Sequence, residues 1–312
     1  MSPESTKVTV IVGDRELQLS NLEKPLFPSG FTKRQMLDYY ARIAPVMLPH
    51  LEGRPVTVKR FPNGIEAKGF IEKNVPRHAP DWIRTVTLPR KGTGRWGKPL
   101  EEDSGRETTE FVLVDELATL MWLVNLAAVE FHTPMWKVGP KGEPRAPDLL
   151  VFDLDPGPPA GLAECCRVAL QLRARAEEEK ITLVPKTSGS KGLQIYGPVA
   201  AKRWEADSTN TYAHTLAQEL EKTDGEHVVS RMAKDLRPGK VLIDWSQNNT
   251  AKTTVSPYSL RALDGPTVST PLTWDEVGEV AAGGTRSPLG FTPEDVLGRV
   301  DIMGDLFGSL TP

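Results

Sequence analysis

An α/β (α+β) fold is predicted by three features of the chain. Helix-period and strand-period segments interleave along its 312 residues without a clean linker. The apolar run from Leu149 to Phe152 reads as a strand buried on both faces. No segment repeats with a period of about 20 to 50 residues, so the chain is not a solenoid or a propeller.

The first elements are β. KVTVIV and RELQLS alternate like a short hairpin. Thr32 and Gln35 have the spacing of a capping box, and MLDYYARIAPVML carries apolar residues at helical intervals behind it. Strands are expected at PVTVKRF, WIRTVTL and TEFVLV, separated by turns rich in Gly, Pro and Lys. A long apolar helix is expected to begin near Asp115 and run through LATLMWLVNLAAVEF. KVGPKGEPRAP, from Lys137 to Pro147, resists packing and reads as the crossover between the two halves, about 1–140 and 141–312. The second half continues with the strand ending at Asp155, a helix from Leu162 to Glu179, the strand ITLVPK, a Ser/Gly loop and the strand LQIYG. A helix around Tyr212 to Leu220, the strand KVLIDW and two short capped helices, TWDEVGEV and TPEDVLGRV, complete it.

Composition is that of a globular protein, 39% hydrophobic and 25% charged. Cys165 and Cys166 are adjacent on a helix, too cramped for an unstrained mutual disulfide. Nothing resembles a signal peptide, and no apolar run approaches about 20 residues, so a cytoplasmic protein with no membrane partner is expected. The net charge of −3 gives no basic surplus. The distribution is uneven, however. Acids gather at Glu101 to Asp103, at Glu177 to Glu179, and at Asp275, Glu276 and Glu279. Bases gather at Lys186 and Lys191 and at Arg231, Lys234, Arg237 and Lys240, which predicts a basic face suited to a polyanion.

The chemistry is concentrated in three segments. In LLVFDLDPGP, Asp153 and Asp155 are two apart on a strand, so their side chains leave the same face, with Cα atoms about 6.5 to 7 Å apart. Such a pair suits a divalent cation, although a bare Asp-x-Asp arises by chance on the order of once in a chain this long. In PKTSGSKGLQIYGP, Ser188, Gly189, Ser190, Lys191 and Gly192 lie between two strands, where glycines let backbone N–H groups form an anion nest and Lys191 adds charge. The loop is not a Walker A motif, because G-x-x-x-x-G-K-[ST] is absent. In GKVLIDWSQNN, Asp244 ends an apolar strand and supplies a third carboxylate, while Arg237 stands just upstream with a planar fork for phosphate.

In this order the three segments resemble the motifs of the primase-polymerases of the archaeo-eukaryotic primase superfamily, specifically the polymerase domain of bacterial ligase D and its stand-alone relatives. The resemblance extends over most of the chain, through NLEKPLFP, TKRQMLDYYARIAP, VTVKRFPNG, GFIEKN and VEFHTPMW. It implies a single catalytic module over residues 1–312, with a central mixed sheet flanked by helices and a smaller N-terminal subdomain.

The same resemblance assigns roles. Asp153, Asp155 and Asp244 match metal-binding carboxylates for two Mn²⁺ or Mg²⁺ ions. Ser188, Gly189 and Lys191 match the triphosphate loop, and Arg237, Gln247 and Arg261 match further contacts to the nucleotide or its metals. His132 matches a histidine near the nucleotide, and Lys59 looks like part of the nucleotide or template pocket. Lys24 and Lys33 match basic residues that hold the 5′-phosphate downstream of a gap, and Phe70 matches an aromatic stacked on template bases. The implied activity is DNA-dependent nucleotide addition from NTP or dNTP, preferring ribonucleotides, in gap filling during end joining or excision repair. A DNA ligase and an end-binding protein are the implied partners.

Two positions depart from the pattern. Relatives often carry a histidine where this chain has Gln194, and some have two consecutive aromatics where Phe70 is followed by Ile71. Altered pH dependence and weaker template stacking are the corresponding expectations. A haloacid-dehalogenase-like phosphatase shares the apolar-strand-DLD signature, but wants Thr or Val where this chain has Gly157. A non-catalytic module that binds DNA ends through its lysines and Phe70 is the remaining alternative.

Overall fold

The structure, a computed structural model, describes residues 7–89, 108–199, 208–283 and 289–311. The acidic cluster Glu101 to Asp103 lies outside the described residues. In chain order the elements of the first half are β1 (Lys7–Val12), β2 (Arg15–Ser20), α1 (Lys33–Leu51), β3 (Pro55–Arg60), β4 (Phe70–Glu72), β5 (Thr85–Pro89), β6 (Thr108–Leu113), α2 (Leu117–Asn125) and β7 (Ala128–Thr133). There follow β8 (Trp136–Val138), β9 (Pro144–Pro147), β10 (Leu149–Pro156), α3 (Leu162–Glu178), β11 (Val184–Thr187), β12 (Leu193–Pro198), α4 (Ser208–Thr223), β13 (Val228–Val229) and β14 (Val241–Asp244). The last are β15 (Thr254–Val255), β16 (Leu260–Ala262), β17 (Pro266–Val268), α5 (Trp274–Ala281) and α6 (Pro293–Met303).

Two larger sheets organise these elements. One runs β15-β7-β3-β6-β5, with β4 also paired to β3; the other runs β11-β12-β10-β14-β13. The first sheet packs on α1, whose capping box is closed by Thr32 and Gln35 as the spacing predicts. Met36, Tyr40, Ile43 and Met47 of α1 are fully buried against Val58, Val129 and Phe131 in one apolar cluster. The second sheet buries Phe152, Leu154, Leu193, Ile195 and Ile243 against α3, α4 and α5. This second sheet is mixed: β10 is antiparallel to both neighbours, whereas β13 and β14 are parallel.

The halves are interwoven. β15, from beyond residue 250, joins the first sheet beside β7, and Tyr258, Leu260 and Val268 belong to the first core. Arg54, 2% exposed, donates from Nη1 and Nη2 to the two oxygens of Asp148 at 2.8 and 2.6 Å, a forked pair that ties β3 to the start of β10.

Two expected elements are corrected. The long helix stops at Asn125: Ala127 takes φ 60, Phe61 N donates to the Ala127 carbonyl, and Arg60 Nε donates to the Leu126 carbonyl. AVEFHT is then a strand between β3 and β15 whose residues are buried but for His132, so its apolar run carries no period that separates strand from helix. The stretch expected as a crossover is instead the β8–β9 hairpin, turning at Gly142 with φ 80. No described helix is long and apolar enough to cross a membrane.

Candidate active site

Alternation along β10 places its carboxylates. Leu150, Phe152 and Leu154 enter the helix-covered core, while Leu149 and Val151 face a smaller cluster with Met135, Tyr196, Phe307 and Leu310. Asp153 and Asp155 continue that second face beyond its apolar cover. Asp153 is paired across the sheet with Asp244 on β14 and with Gln194 on β12, and Gln194 is paired with Lys186 on β11. A polar row, Lys186, Gln194, Asp153 and Asp244, therefore crosses four adjacent strands.

Like charges directly opposite on neighbouring strands repel, their Cβ atoms about 4.5 to 5.5 Å apart. The Asp153 carboxyl is pushed up to about 7, first by burial and then by Asp155 and Asp244; the Gln194 hydrogen bond and Lys186 oppose the rise. A divalent cation would remove the repulsion, so the donor set fits one. Among the described residues no group of three His, Cys, Asp or Glu side chains stands close enough together to hold a metal ion. Asp244 instead accepts from Ser246 N at 3.0 Å and from Gln247 Nε2 at 2.9 Å, so Gln247 reaches the site through Asp244.

β14 ends at Asp244 because the chain turns into a 3₁₀ segment, Trp245–Asn248. The Asn248 amide takes over its ladder: Oδ1 accepts from Val151 N at 2.9 Å and Nδ2 donates to Val151 O at 2.7 Å. Asn248 of the third segment thus finishes the sheet where the backbone leaves it.

The loop between β11 and β12 is held by its own side chain. Ser188 Oγ accepts from Ser190 N and Gly192 N, each at 3.2 Å, so those donors of the expected nest already face a hydroxyl. Gly189 has φ +69, and a Cβ there would stand 2.6 Å from Arg261 Cγ. Arg261 Nη1 donates to the Ser188 carbonyl at 2.6 Å and Thr267 Oγ1 to the Gly189 carbonyl at 2.6 Å. Lys191 is exposed and makes no ion pair with the described residues. On the other side, Arg237 Nη2 donates to the Met232 carbonyl at 2.6 Å, while its buried Nε has no partner among the described residues. The Arg237 carbonyl would be 2.1 Å from a Cβ at position 157, so Gly157 lets this segment lie against the end of β10.

Lys59, His132 and Arg261 converge on a residue that the sequence did not single out. Glu130 of β7 is 3% exposed. His132 Nε2 donates to its Oε2 at 2.9 Å, Arg261 Nε lies 3.5 Å from Oε2, and Lys59 Nζ lies 3.7 Å from Oε1. Burial works against the Glu130 charge, but the His132 hydrogen bond, Arg261 and the Ala262 backbone hold its carboxyl down at about 2. Reading β7 as helix concealed it, because only strand geometry puts Glu130 and His132 on one face and Lys59 opposite.

Lys24 and Lys33 come together where Lys33 N donates to the Lys24 carbonyl at 2.9 Å. The Lys33 side chain is buried, with Nζ donating to the Ser20 carbonyl at 2.6 Å, and its ammonium is held down to about 8 by burial and by Lys24. Lys24 Nζ donates to the Pro62 carbonyl at 2.6 Å. Phe70 and Ile71 of β4 are 44% and 66% exposed, and the Arg60 guanidinium lies over the Phe70 ring.

The expected basic face is only partly present. Lys186 is fully buried and Lys240 donates to the Gly225 carbonyl, while Arg231 is exposed but paired with Glu221 at 2.9 Å, which leaves Lys191 and Lys234 as the exposed bases of the group without an ion pair among the described residues. Both cysteines are free and buried, and burial pushes their thiols up.

The family model described as "LigD, primase-polymerase domain" matches residues 32–307. The multifunctional non-homologous end joining protein LigD of Mycolicibacterium smegmatis is 39% identical over 295 residues, covering 94% of this chain and 36% of that protein. The bifunctional non-homologous end joining protein LigD of Bacillus subtilis is 29% identical over 290 residues, covering 93% of this chain and 43% of that protein. The chain thus spans less than half the length of these relatives. A solved structure, the polymerase domain from Mycobacterium tuberculosis ligase D in complex with DNA, superposes with a TM-score of 0.83 at 38% identity, covering 95% of this chain and 98% of that one.

Proposed function

The chain belongs to the LigD primase-polymerase domain family, and on that premise we propose that it is a DNA-dependent nucleotidyltransferase that extends primer 3′ ends and fills short gaps in DNA repair, acting as one catalytic module. The observation that carries the reading is the direct cross-strand pairing of Asp153 with Asp244, with Asp155 two residues further on the same face. Asp153, Asp155 and Asp244 would hold two Mn²⁺ or Mg²⁺ ions, which when bound activate the primer hydroxyl and neutralise the leaving pyrophosphate.

The protein's own residues do the rest. Ser188, Gly189 and Lys191 on one side and Arg237 on the other bind the triphosphate, Lys191 because its ammonium is exposed and Arg237 through its planar guanidinium, whose buried Nε has no partner among the described residues. Gln247 orients Asp244. Lys59, His132 and Arg261 form the nucleotide pocket around Glu130. Lys24 and Lys33 bind the 5′-phosphate beyond a gap, and Phe70 stacks on a template base. Substrates are NTP or dNTP with a preference for ribonucleotides, and a DNA ligase and an end-binding protein act alongside.

Gel-resolved nucleotide addition on a gapped duplex, comparing ribo- with deoxynucleotides and Mn²⁺ with Mg²⁺, tests this reading. The wild type extends the primer, whereas Asp153→Ala and Asp244→Ala do not. Incorporation retained by either variant removes the proposed core.

A further inference from the structure

We propose that Lys186 is a positioning residue for the catalytic carboxylates: it fixes the amide of Gln194 in the one orientation that presents a donor to Asp153. The inference deepens the polymerase reading and rests on it for the role of Asp153.

Lys186 is completely excluded from solvent, an unusual place for a lysine, and makes no ion pair with the described residues. Its Nζ donates to Gln194 Oε1 at 2.5 Å and to Ser269 Oγ at 2.5 Å, and it stands over the Tyr196 ring, 5.6 Å from the centroid. Ser269 Oγ spends its own hydrogen on the Thr187 carbonyl at 2.9 Å, so towards Lys186 it only accepts. Both contacts therefore require Lys186 to donate. Burial, reinforced by Arg261, pulls the Lys186 ammonium well below its usual range, but even a neutral amine has the two hydrogens these contacts use.

The consequence falls on Gln194, which is 4% exposed. An amide has an oxygen end and a nitrogen end of similar shape, and by itself a glutamine could offer Asp153 either one. With Oε1 held by Lys186, Nε2 faces Asp153 Oδ1 at 3.1 Å and donates to it. Flipping the amide would turn an oxygen towards the Asp153 carboxylate and, while Lys186 is protonated and has no lone pair, would set NH₂ against Nζ, mismatches inside a buried row. Lys186 thus decides that the Asp153 neighbour is a donor, which holds the Asp153 side chain in one position and supports its charge beside Asp155 and Asp244. A histidine at position 194 could donate to Asp153 from a ring nitrogen without such help. The glutamine of this chain works only together with its lysine.

The test uses the whole chain and reads metal binding as well as activity. Lys186→Met keeps the length and apolar stem of the side chain but removes the donor. Mn²⁺ titration without nucleotide should show an affinity about tenfold weaker, in the range typical for loss of an outer-shell partner, and kcat for nucleotide addition should fall while KM for the nucleotide stays within about twofold. The double variant Lys186→Met with Gln194→His should recover most of the lost metal affinity. Lys186→Met with Mn²⁺ affinity within twofold of wild type, or a double variant no better than Lys186→Met alone, overturns the proposal. If Lys186→Met does not fold, the wild type decides the matter: the side-chain NH₂ signals of Gln194, assigned by their loss in Gln194→His, should shift on Mg²⁺ addition, and unchanged signals overturn it. Wild type that binds Mn²⁺ but adds no nucleotide, with metal affinity still lost in Lys186→Met, would leave this inference standing and remove the polymerase reading.

Discussion

Glu130 on β7 is the cross-strand partner of Lys59 on β3, and its carboxylate is shared between that lysine, His132 and Arg261. One buried negative charge thus gathers the groups proposed to face the nucleotide. Without it, Lys59 and Arg261 would repel each other and Arg261 would lose an anchor that also steadies the Ser188 loop. Glu130→Gln keeps the shape and removes the charge, and should raise KM for the nucleotide about tenfold or more, in line with losing charge-assisted contacts. A steady-state titration of nucleotide that returns an unchanged KM would count against this role.

The same carboxylate makes stability depend on acid. Its group titrates at about 2 in the folded protein against an ordinary 4.5. A depressed carboxylate stabilises the fold above its unfolded value and loses that stabilisation as pH falls from about 4.5 towards 2, an effect on the order of 3 kcal/mol. Urea midpoints measured between pH 6 and 3 should fall less steeply for Glu130→Gln than for the wild type. Parallel curves would show that Glu130 does not carry this acid sensitivity.

Lys33 gives the opposite kind of pH effect. Its ammonium loses its proton near 8 in the free protein, because burial and Lys24 both disfavour the charge. A bound 5′-phosphate favours the charged form, so the preference for a phosphorylated gap over an unphosphorylated one should be full at pH 7 and reduced at pH 9. Fluorescence anisotropy with the two duplexes measures the ratio, and Lys24→Ala should abolish it at both values. A ratio in the wild type that does not change between pH 7 and 9 removes Lys33 from the phosphate site.

The parts of the site legible in the sequence are those set by short-range rules. The strand carrying Asp153 and Asp155 could be read because alternation and a following Pro-Gly turn fix both face and end. The capping box of α1 could be read because Thr32 and Gln35 act within one turn. Glu130 could not, since AVEFHT is an apolar run whose strand identity comes from pairing with β3 and β15, partners far away in the chain. In the sequence Lys186 looks like part of a basic face for a similar reason: only the ladder from β11 to β14 shows that its position continues the row of Gln194, Asp153 and Asp244 into the interior.

Position 71 offers a gain-of-function test. Phe70 and Ile71 sit on the short edge strand β4 with both side chains exposed, and Arg60 already covers part of the Phe70 ring. A second aromatic would add a stacking surface worth about 1 to 3 kcal/mol per base. Ile71→Phe should therefore tighten binding to a gapped duplex about tenfold, and Phe70→Ala should weaken it by a similar factor. Equal affinities for wild type and Ile71→Phe would show that β4 does not meet a template base.

Gly189 links the loop to the proposed nucleotide pocket through lack of a side chain. Its φ of +69 is left-handed, and a Cβ there would stand 2.6 Å from Arg261 Cγ and 2.9 Å from Ser269 N. The backbone strain for a non-glycine residue is about 1 to 3 kcal/mol, and the Ser269 backbone cannot move aside as the end of a flexible side chain would. Gly189→Ala should lower the urea midpoint and push Arg261 away from the Ser188 carbonyl, which it now meets at 2.6 Å. The functional result is a raised KM for the nucleotide with DNA affinity unchanged, because the lysines and Phe70 of the proposed DNA contacts belong to other elements. A Gly189→Ala protein that is less stable but keeps the wild-type KM would separate the loop from nucleotide binding.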